Sequence, residues 1–556
     1  MHQAETASRN GAWVAGFIAY EAAGAFGLPV LPTPTGHPLV WMASFSRVQQ
    51  VLLPHLPKQP TRETTIAHLS LDAAQYRQDL EAILDAIGRG ETYQVNHTLT
   101  ATITPCDPAK LFLHLQGLHR FPYGAWLNFG VGRIASFSPE LLIENNHGHI
   151  ITAPIKGTRP RLETVVADQQ LARELEDSVK DRAEHVMIVD MARNDLGRIC
   201  TTGSVQVEHL CARRSFSTIH HLETRVKGRL REHVGFAEVM AAIFPAASIT
   251  GAPKKRTMEL IRQRERHPRE IYTGSIGWLA PGSQRWRFNV AIRTVTWWGN
   301  AMGTLGLGGG IVADSKVEEE WRELADKGRF LDHPPKPFGL IETCLVNREG
   351  VIPRLNAHLQ RLSRSADTLG FSCPIIEIER QLRHRASLCH PRPRVLRLVL
   401  NMGGEITLSE REWRPSPPLL QAYLAPASSD RWDGLLRHKT TRRAMFDHFL
   451  AEARNKGLDE CLFVNTMGHL TEGAIRAVAV RLRAGWVVPP LEDGLLPSLW
   501  REAFICEHPG VQTRSLTLED LSRAEEIRVG NAVSGESTVT RIVDDAGKVI
   551  WEKEII

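Results

Sequence analysis

Two runs of carboxylates stand out first as residues that could do chemistry. In the segment Leu171 to Asp195, Asp177, Asp181 and Glu184 recur at i, i+4 and i+7, so on a helix they would share one face. A second acidic run begins at Ala313 and places Glu320, Glu323 and Lys327 at i, i+3 and i+7, with Val317, Trp321 and Leu324 on the opposite side. Carboxylates from two helices plus a bound anion would make a Mg²⁺ site, because that ion takes few protein oxygens and completes its shell with water and substrate. Spacing alone equally allows two solvated acidic faces, the commoner fate of such helices. Just before the second run lies Gly306-Leu-Gly-Gly-Gly310, which reads as a glycine loop whose backbone amides could cradle a carboxylate or phosphate ahead of a helix start. No Gly-Lys-Ser or Gly-Lys-Thr follows, so it is not a Walker loop. Thr250-Gly-Ala-Pro253 reads as a turn followed by Lys254 and Lys255. Either segment taken singly could be a plain structural loop.

These groups need elements to hold them. Gln169–Arg193 and Leu355–Leu369 carry helical spacing, and Ile150–Pro154 and Val395–Leu400 read as strands. Asp314 or Ser315 is placed to cap the second acidic helix. Strands and helices do not alternate strictly, which favours α+β over a doubly wound sheet. The clearest break is Leu331 to Phe338, where three prolines in four residues can continue neither a helix nor a central strand. Domains at 1–332 and 338–556 follow, each long enough to bury its own core. Of the 556 residues, 42% are hydrophobic and 23% charged, as in an ordinary globular chain. Lys and Arg number 67 against 62 Asp and Glu, and a net charge of +5 spread over this length argues against a nucleic-acid binder. No apolar run approaches the roughly 18 residues of a membrane span, and the polar start is no signal peptide. Eight scattered cysteines without a Cys-x-x-Cys pair speak against zinc or a disulfide framework and fit a reducing cytoplasm.

A specific resemblance then emerges in the first domain. Gly90–Asn96, Ser138-Pro-Glu140, Pro154–Arg161, Lys180–His185, Arg193–Gly197, Ser248–Lys254, Tyr272–Ser275 and Gly308–Ser315 resemble, in order, the motifs of the chorismate-utilising enzymes, and within them the aminodeoxychorismate synthase large component. The resemblance implies a two-lobed chorismate-binding domain in which Glu184 and Glu323 hold Mg²⁺ and Glu320 acts directly or through water. The metal would hold the ring carboxylate. Tyr272 and Arg293 would bind the enolpyruvyl carboxylate, assisted by Gly308, Gly309, Gly310 and Lys327, with Thr250 among the substrate contacts. His221 matches the family's active-site histidine, though a lone histidine is more often structural. Lys156 stands where anthranilate synthases carry a small residue, which implies a nucleophile that attacks C2 and expels the C4 hydroxyl before ammonia enters at C4. That chemistry needs a neutral amine, hence a lowered pKa. Glu140 would protonate the departing hydroxyl and later act as base. No Gly-x-Cys-x-Gly elbow of a glutaminase is present in the sequence. Ammonia is therefore expected from a separate glutamine amidotransferase subunit or free from solution.

The second domain has a different character. Phe338–Thr343 reads as a strand, Leu355–Leu362 as a helix carrying His358 and Arg361, Arg437–Arg443 as a cationic segment, and Leu458 to Gly473 as a hairpin turning at Gly468. Together these resemble the fold-type IV pyridoxal-phosphate enzymes, which include amino-acid aminotransferases and aminodeoxychorismate lyase. The resemblance implies that Lys439 carries pyridoxal 5'-phosphate as a Schiff base, Glu472 faces the pyridine nitrogen, and Arg361 binds the phosphate. The segments around Leu496 and Asn531 would complete the phosphate cup with backbone amides. Ala474-Ile-Arg476 departs from the family, which commonly has a small polar residue and asparagine there, and Ser534 stands where arginine is frequent. Joined to a C4-aminating domain, a lyase would release pyruvate and p-aminobenzoate for folate. An amino-acid aminotransferase or a non-catalytic module remain the alternatives for this half, and a homodimer around the cofactor is expected by analogy.

Overall fold

The computed structural model describes residues 1–51, 64–216, 218–332, 337–388 and 392–553. The proline-rich break falls partly on residues 333–336, outside the described residues. The chain divides into two compact units, the first holding residues 1–51, 64–161 and 171–332, the second 162–170 and 337–553. The assignment of 162–170 to the second unit departs from the expected domain of 1–332. Both units mix helices with largely antiparallel sheets, an α+β architecture. No helix among the described residues is long and apolar enough to cross a membrane.

In the first unit, nine described strands form one sheet, running from Gln206–Ser215 at one edge to Val40–Phe45 at the other. Within it, Ile219–Arg229 pairs with both His149–Ala153 and Ile155–Pro160. Its core is built on Phe236, Trp286 and Phe288, with the Phe236 and Phe288 rings 4.9 Å apart. A second, seven-stranded sheet has Gln94–Ile103 and Thr304–Ile311 at its centre, joined over eight residue pairs from Val95–Ile311 to Thr102–Thr304. The glycines 306 to 310 therefore lie in a strand, not in a loop. Gly306, Gly308 and Gly310 pair with Thr100, Thr98 and Asn96, on one face of the pleat. A Cβ at Gly306 would collide with the Tyr272 ring, one at Gly308 with Thr98, and one at Gly310 with the Lys156 amine. Missing side chains, rather than exposed amides, are what these positions contribute.

The first acidic segment is two helices, Val165–Asp177 and Val179–Gly197, not one. Ser178 takes an extended conformation and its hydroxyl accepts from the Asp181 amide at 3.1 Å, capping the second helix. Asp177 is thereby cut off from the face that carries Asp181 and Glu184. The other acidic helix is Val317–Gly328, with Lys316 at its cap position and no side-chain cap. Neither Asp314 nor Ser315 caps it: the Ser315 hydroxyl accepts from Val312 and donates to Glu320.

The second unit holds a three-stranded sheet (Leu340–Val346, Arg394–Leu400, Ile406–Glu412) packed on the helices Leu355–Leu369 and Ile375–Ser387. A ten-stranded mixed sheet follows, in which Leu419–Ser429 runs parallel to both Glu460–Asn465 and Gly535–Val543. The hairpin from Glu460 to Gly473 turns at Gly468, whose φ of 75° suits glycine.

Replacing Ser178 by Ala should cost about 1 kcal/mol through loss of the cap, seen as a lower denaturation midpoint of the first unit. An unchanged midpoint would mean that the helix break does not depend on this hydroxyl.

Candidate functional site

A cavity of about 570 Å³ opens in the first unit, a volume suited to a small organic ligand. The strand Ile155–Pro160 supplies one wall. Gly157, at φ 68°, makes a bulge against Ile219–Arg229, where the register slips between His221 and Leu222. His221 Nδ1 donates to the Gly157 carbonyl at 2.7 Å, holding the bulge next to Lys156. Burial lowers the Lys156 pKa, a trend Glu184 opposes and Lys327 reinforces. The amine lies over the bare Cα of Gly310.

Glu140 lines the same cavity and is buried. Burial raises its carboxyl pKa to about 7, against the Ser248 hydroxyl, which donates to Oε1 at 2.6 Å. A carboxyl near neutrality can give and retake a proton at physiological pH. His221 is pushed down to about 3 by burial and then by Arg293, so it is neutral. Its Nε2 stands 3.4 Å from Arg293 Nη2. Arg293 is itself lowered to about 9 by burial, and its Nη1 has no hydrogen-bond partner among the described residues. A buried guanidinium with a vacant donor facing a cavity is a receptor for an anion. Arg293 sits at φ 50°, a left-handed conformation that a non-glycine residue adopts at a cost. Tyr272 also lines the cavity, its phenol pKa raised by burial.

Three acids line the same cavity: Glu184, from the capped helix, and Glu320 and Glu323, from Val317–Gly328. Among the described residues no three carboxylate, histidine or cysteine groups converge closely enough for a metal ion. Glu323 pairs with Lys327 at 2.7 Å, and Glu320 accepts from Ser315 at 2.6 Å. Burial raises the pKa of Glu184, against Lys156 and Lys180, and that of Glu320, against the Ser315 hydroxyl, Lys327 and Lys180. Mg²⁺ needs only one or two protein carboxylates beside substrate and water, and this oxygen-only pair fits it. Lys327 also donates to the Gly308 carbonyl at 2.7 Å. Two expected contacts fall elsewhere. Thr250 turns its hydroxyl to the Ala246 carbonyl at 3.0 Å, and Gly309 faces Glu320; neither lines the cavity. Asn96, Thr158, Arg159 and Ser248 line it without having been singled out.

In the second unit Lys439 is drawn beside the strand Leu340–Val346 by its carbonyl, which accepts from the Ile341 amide at 2.7 Å. Burial, then Arg361, lowers its amine to about 8. Glu472 is raised to about 7 by burial, against the Leu496 amide, which donates to it at 3.1 Å. Leu496 is thus committed to Glu472 rather than free for a phosphate. The Asn531 side chain is bonded within the protein: its Oδ1 accepts from the Val533 and Ser534 amides and its Nδ2 donates to the Ile475 carbonyl. Arg361 is held by Glu342 through two bonds of 2.9 and 2.8 Å, while Glu342 also bonds His358 at 2.7 Å. A third Arg361 bond, to the Pro497 carbonyl at 3.1 Å, sets it beside the helix Leu499–Glu507, whose first turn has no side-chain cap. A guanidinium with spare donors next to open helix amides fits a phosphate. Amine, carboxyl and phosphate site together fit a phosphate-bearing aldehyde cofactor.

Residues 1–332 match the model of the chorismate binding enzymes, and residues 339–542 that of the class IV amino-transferases. Aminodeoxychorismate synthase component 1 of Salmonella typhimurium is 39% identical over 280 residues, which is 50% of this chain and 61% of that protein. An anthranilate synthase component 1 of Haloarcula marismortui is also 39% identical over 280 residues, covering 50% of this chain and 55% of the relative. Relatives named for two different reactions thus match equally well, and the chain spans less than two thirds of either. The crystal structure of anthranilate synthase component I from Streptococcus pneumoniae shares the fold, with a TM-score of 0.52 and 24% identity over 60% of this chain and 85% of that one. By residues 1–332 the chain belongs to the chorismate binding enzyme family, and a class IV aminotransferase-like domain follows in the same polypeptide.

Proposed function

We propose that the chain makes p-aminobenzoate from chorismate in two steps, the first unit aminating C4 and the second removing pyruvate. The observation that carries the first step is the pairing of Lys156, a buried amine with a lowered pKa, with Glu140, a buried carboxyl near neutrality, in one cavity. Lys156 Nζ attacks ring carbon C2, the two conjugated ring double bonds each shift by one position, and the C4 hydroxyl leaves with the Glu140 proton as water. Ammonia, from a separate glutamine amidotransferase or free, then attacks C4. The two double bonds shift back, Lys156 departs, and Glu140 takes a proton from the incoming nitrogen. Arg293, with its open donor, and Tyr272 hold the enolpyruvyl carboxylate, while His221 stays neutral and fixes the bulge. Glu184 and Glu320 would hold Mg²⁺, whose charge would bind the ring carboxylate.

For the second step, pyridoxal 5'-phosphate supplies an electron sink when bound. Lys439 would anchor it and Glu472 would face the pyridine nitrogen. Arg361 and the start of Leu499–Glu507 would take its phosphate. An amine near pKa 8 lets Lys439 accept the C4 proton at neutral pH, and loss of that proton with enolpyruvate leaves an aromatic ring. Work in the cytoplasm accords with this pathway.

The test supplies the full chain with chorismate, ammonia, Mg²⁺ and pyridoxal phosphate and resolves the products by mass. p-Aminobenzoate with pyruvate is expected. Aminodeoxychorismate accumulating alone, with glutamate–oxoglutarate exchange, would replace the lyase by an aminotransferase, and anthranilate would refute the role of Lys156. Lys156→Ala should lose amination by at least about a hundredfold. Lys439→Ala should leave no cofactor that borohydride can fix to the protein; cofactor still fixed would exclude Lys439 as the anchor. The pH profile carries its own check. Glu140 must be protonated to assist departure, so kcat should fall as pH rises through about 7. The Ser248 hydroxyl stabilises the carboxylate, so Ser248→Ala should move that falling limb to higher pH; an unmoved or lowered limb would assign it to another group.

A further inference from the structure

Arg269 lies under the cavity without lining it, and its side chain is 2% exposed. Its guanidinium donates to both Glu265 oxygens, at 2.8 and 2.7 Å, to the Ile249 carbonyl at 2.8 Å and to the Asn96 carbonyl at 2.6 Å. It also lies 4.5 Å over the Tyr20 ring. Glu265 accepts in turn from the amide and hydroxyl of Thr98. On the backbone side, the amides of Arg269 and Glu270 donate to the two oxygens of Glu21, at 2.7 and 3.0 Å. That fixes the start of a turn in which Glu270 and Thr273 both take left-handed φ, 54° and 60°, and which carries Tyr272. Such strain persists only where the surroundings over-determine it, and here Glu21 and Arg269 do so.

Two cavity walls therefore meet on one guanidinium, and a third on the backbone of the same residue. Asn96 belongs to the strand facing the bare glycines. Ile249 follows Ser248, which holds Glu140. Tyr272 follows Arg269 by three residues and its amide donates to the Arg269 carbonyl at 3.1 Å. The Asn96 amide also donates to the Thr250 carbonyl at 2.8 Å, so the guanidinium adds a side-chain tie to a backbone one between segments more than 150 residues apart in sequence.

We propose that Arg269, with Glu265 and Glu21, is a positioning residue that sets the separation of Asn96, Ser248 and Tyr272 and so the fit of the anionic substrate. This rests on the reading of the cavity as a chorismate site. A displacement of an ångström remote from the reacting atoms is enough to cost as much as about a hundredfold in rate. A lysine at 269 keeps the charge but cannot reach both carbonyls and both carboxylate oxygens at once. A glutamine at 21 has one acceptor and one donor, so it opposes one of the two amides.

The experiment measures KM and kcat for chorismate with saturating ammonia in the full chain, for the wild type, Arg269→Lys and Glu21→Gln, with thermal midpoints alongside. A merely structural role would lower the midpoint and the active fraction, hence apparent kcat, and leave KM unchanged. Positioning predicts a KM raised roughly tenfold or more in Arg269→Lys, and raised by a smaller factor in Glu21→Gln. KM within twofold of wild type in folded Arg269→Lys would overturn the proposal. If Arg269→Lys does not fold, an unchanged KM in Glu21→Gln overturns it instead. A wild type that does not consume chorismate would refute the underlying reading, and the proposal with it.

Discussion

A lysine amine kept from water among buried charges is the constraint on which the first unit is organised. Lys156 is useful as a nucleophile only when neutral, and burial drives it that way. Burial alone would favour neutral carboxyls as well, and Glu140, Glu184 and Glu320 are all pushed upward. The cavity thus holds an amine and carboxyls that disfavour their charged forms together, beside an arginine with an open donor. A dianionic substrate and a divalent cation would bring charges that balance these groups. Binding and activation are in this sense one electrostatic problem.

Room for that arrangement comes from absent side chains. Alternate residues of the strand Thr304–Ile311 face one way, and glycine at 306, 308 and 310 clears space for the Tyr272 ring, for Thr98 and for the Lys156 amine. The neighbouring strand Gln94–Ile103 and the bulge at Gly157 set the remaining walls. The second unit meets a similar demand with different means. Lys439 is also buried and lowered, Glu472 is raised, and Arg361 is fixed by the fully buried Glu342, whose own pKa the guanidinium and His358 bring down to about 2.

How much of this was legible depended on the range of the interaction. Local periodicity marked the helix Leu355–Leu369 with its bounds and the hairpin at Gly468. It overran the helix break at Ser178, because one serine capping its own helix leaves the 3.6-residue pattern nearly intact on either side. Glycine-rich composition suggested a loop at 306–310, since propensity cannot register that a strand is held by eight cross-strand partners. The family motifs pointed to residues that line one cavity, but not to how they pair: Glu323, expected as a metal ligand, bonds Lys327. Ser248 and Glu342 lie within the motif segments, but their roles depend on partners distant in sequence, Glu140 and Arg361. A carboxylate in the apolar run Leu340–Val346 needs a buried partner, and that signal pointed to Arg361 nineteen residues away. Arg269 gave no local sign, for its partners are spread from Glu21 to Glu265.

The account stands or falls on Lys156 bonding to the substrate. The most direct measurement gives the protein chorismate and Mg²⁺ without ammonia, quenches with acid, and weighs the peptide that contains Lys156. The account predicts that this peptide gains the mass of chorismate less one water and loses it when ammonia is added before the quench. An unmodified peptide, in a protein that still aminates chorismate once ammonia is supplied, would contradict it.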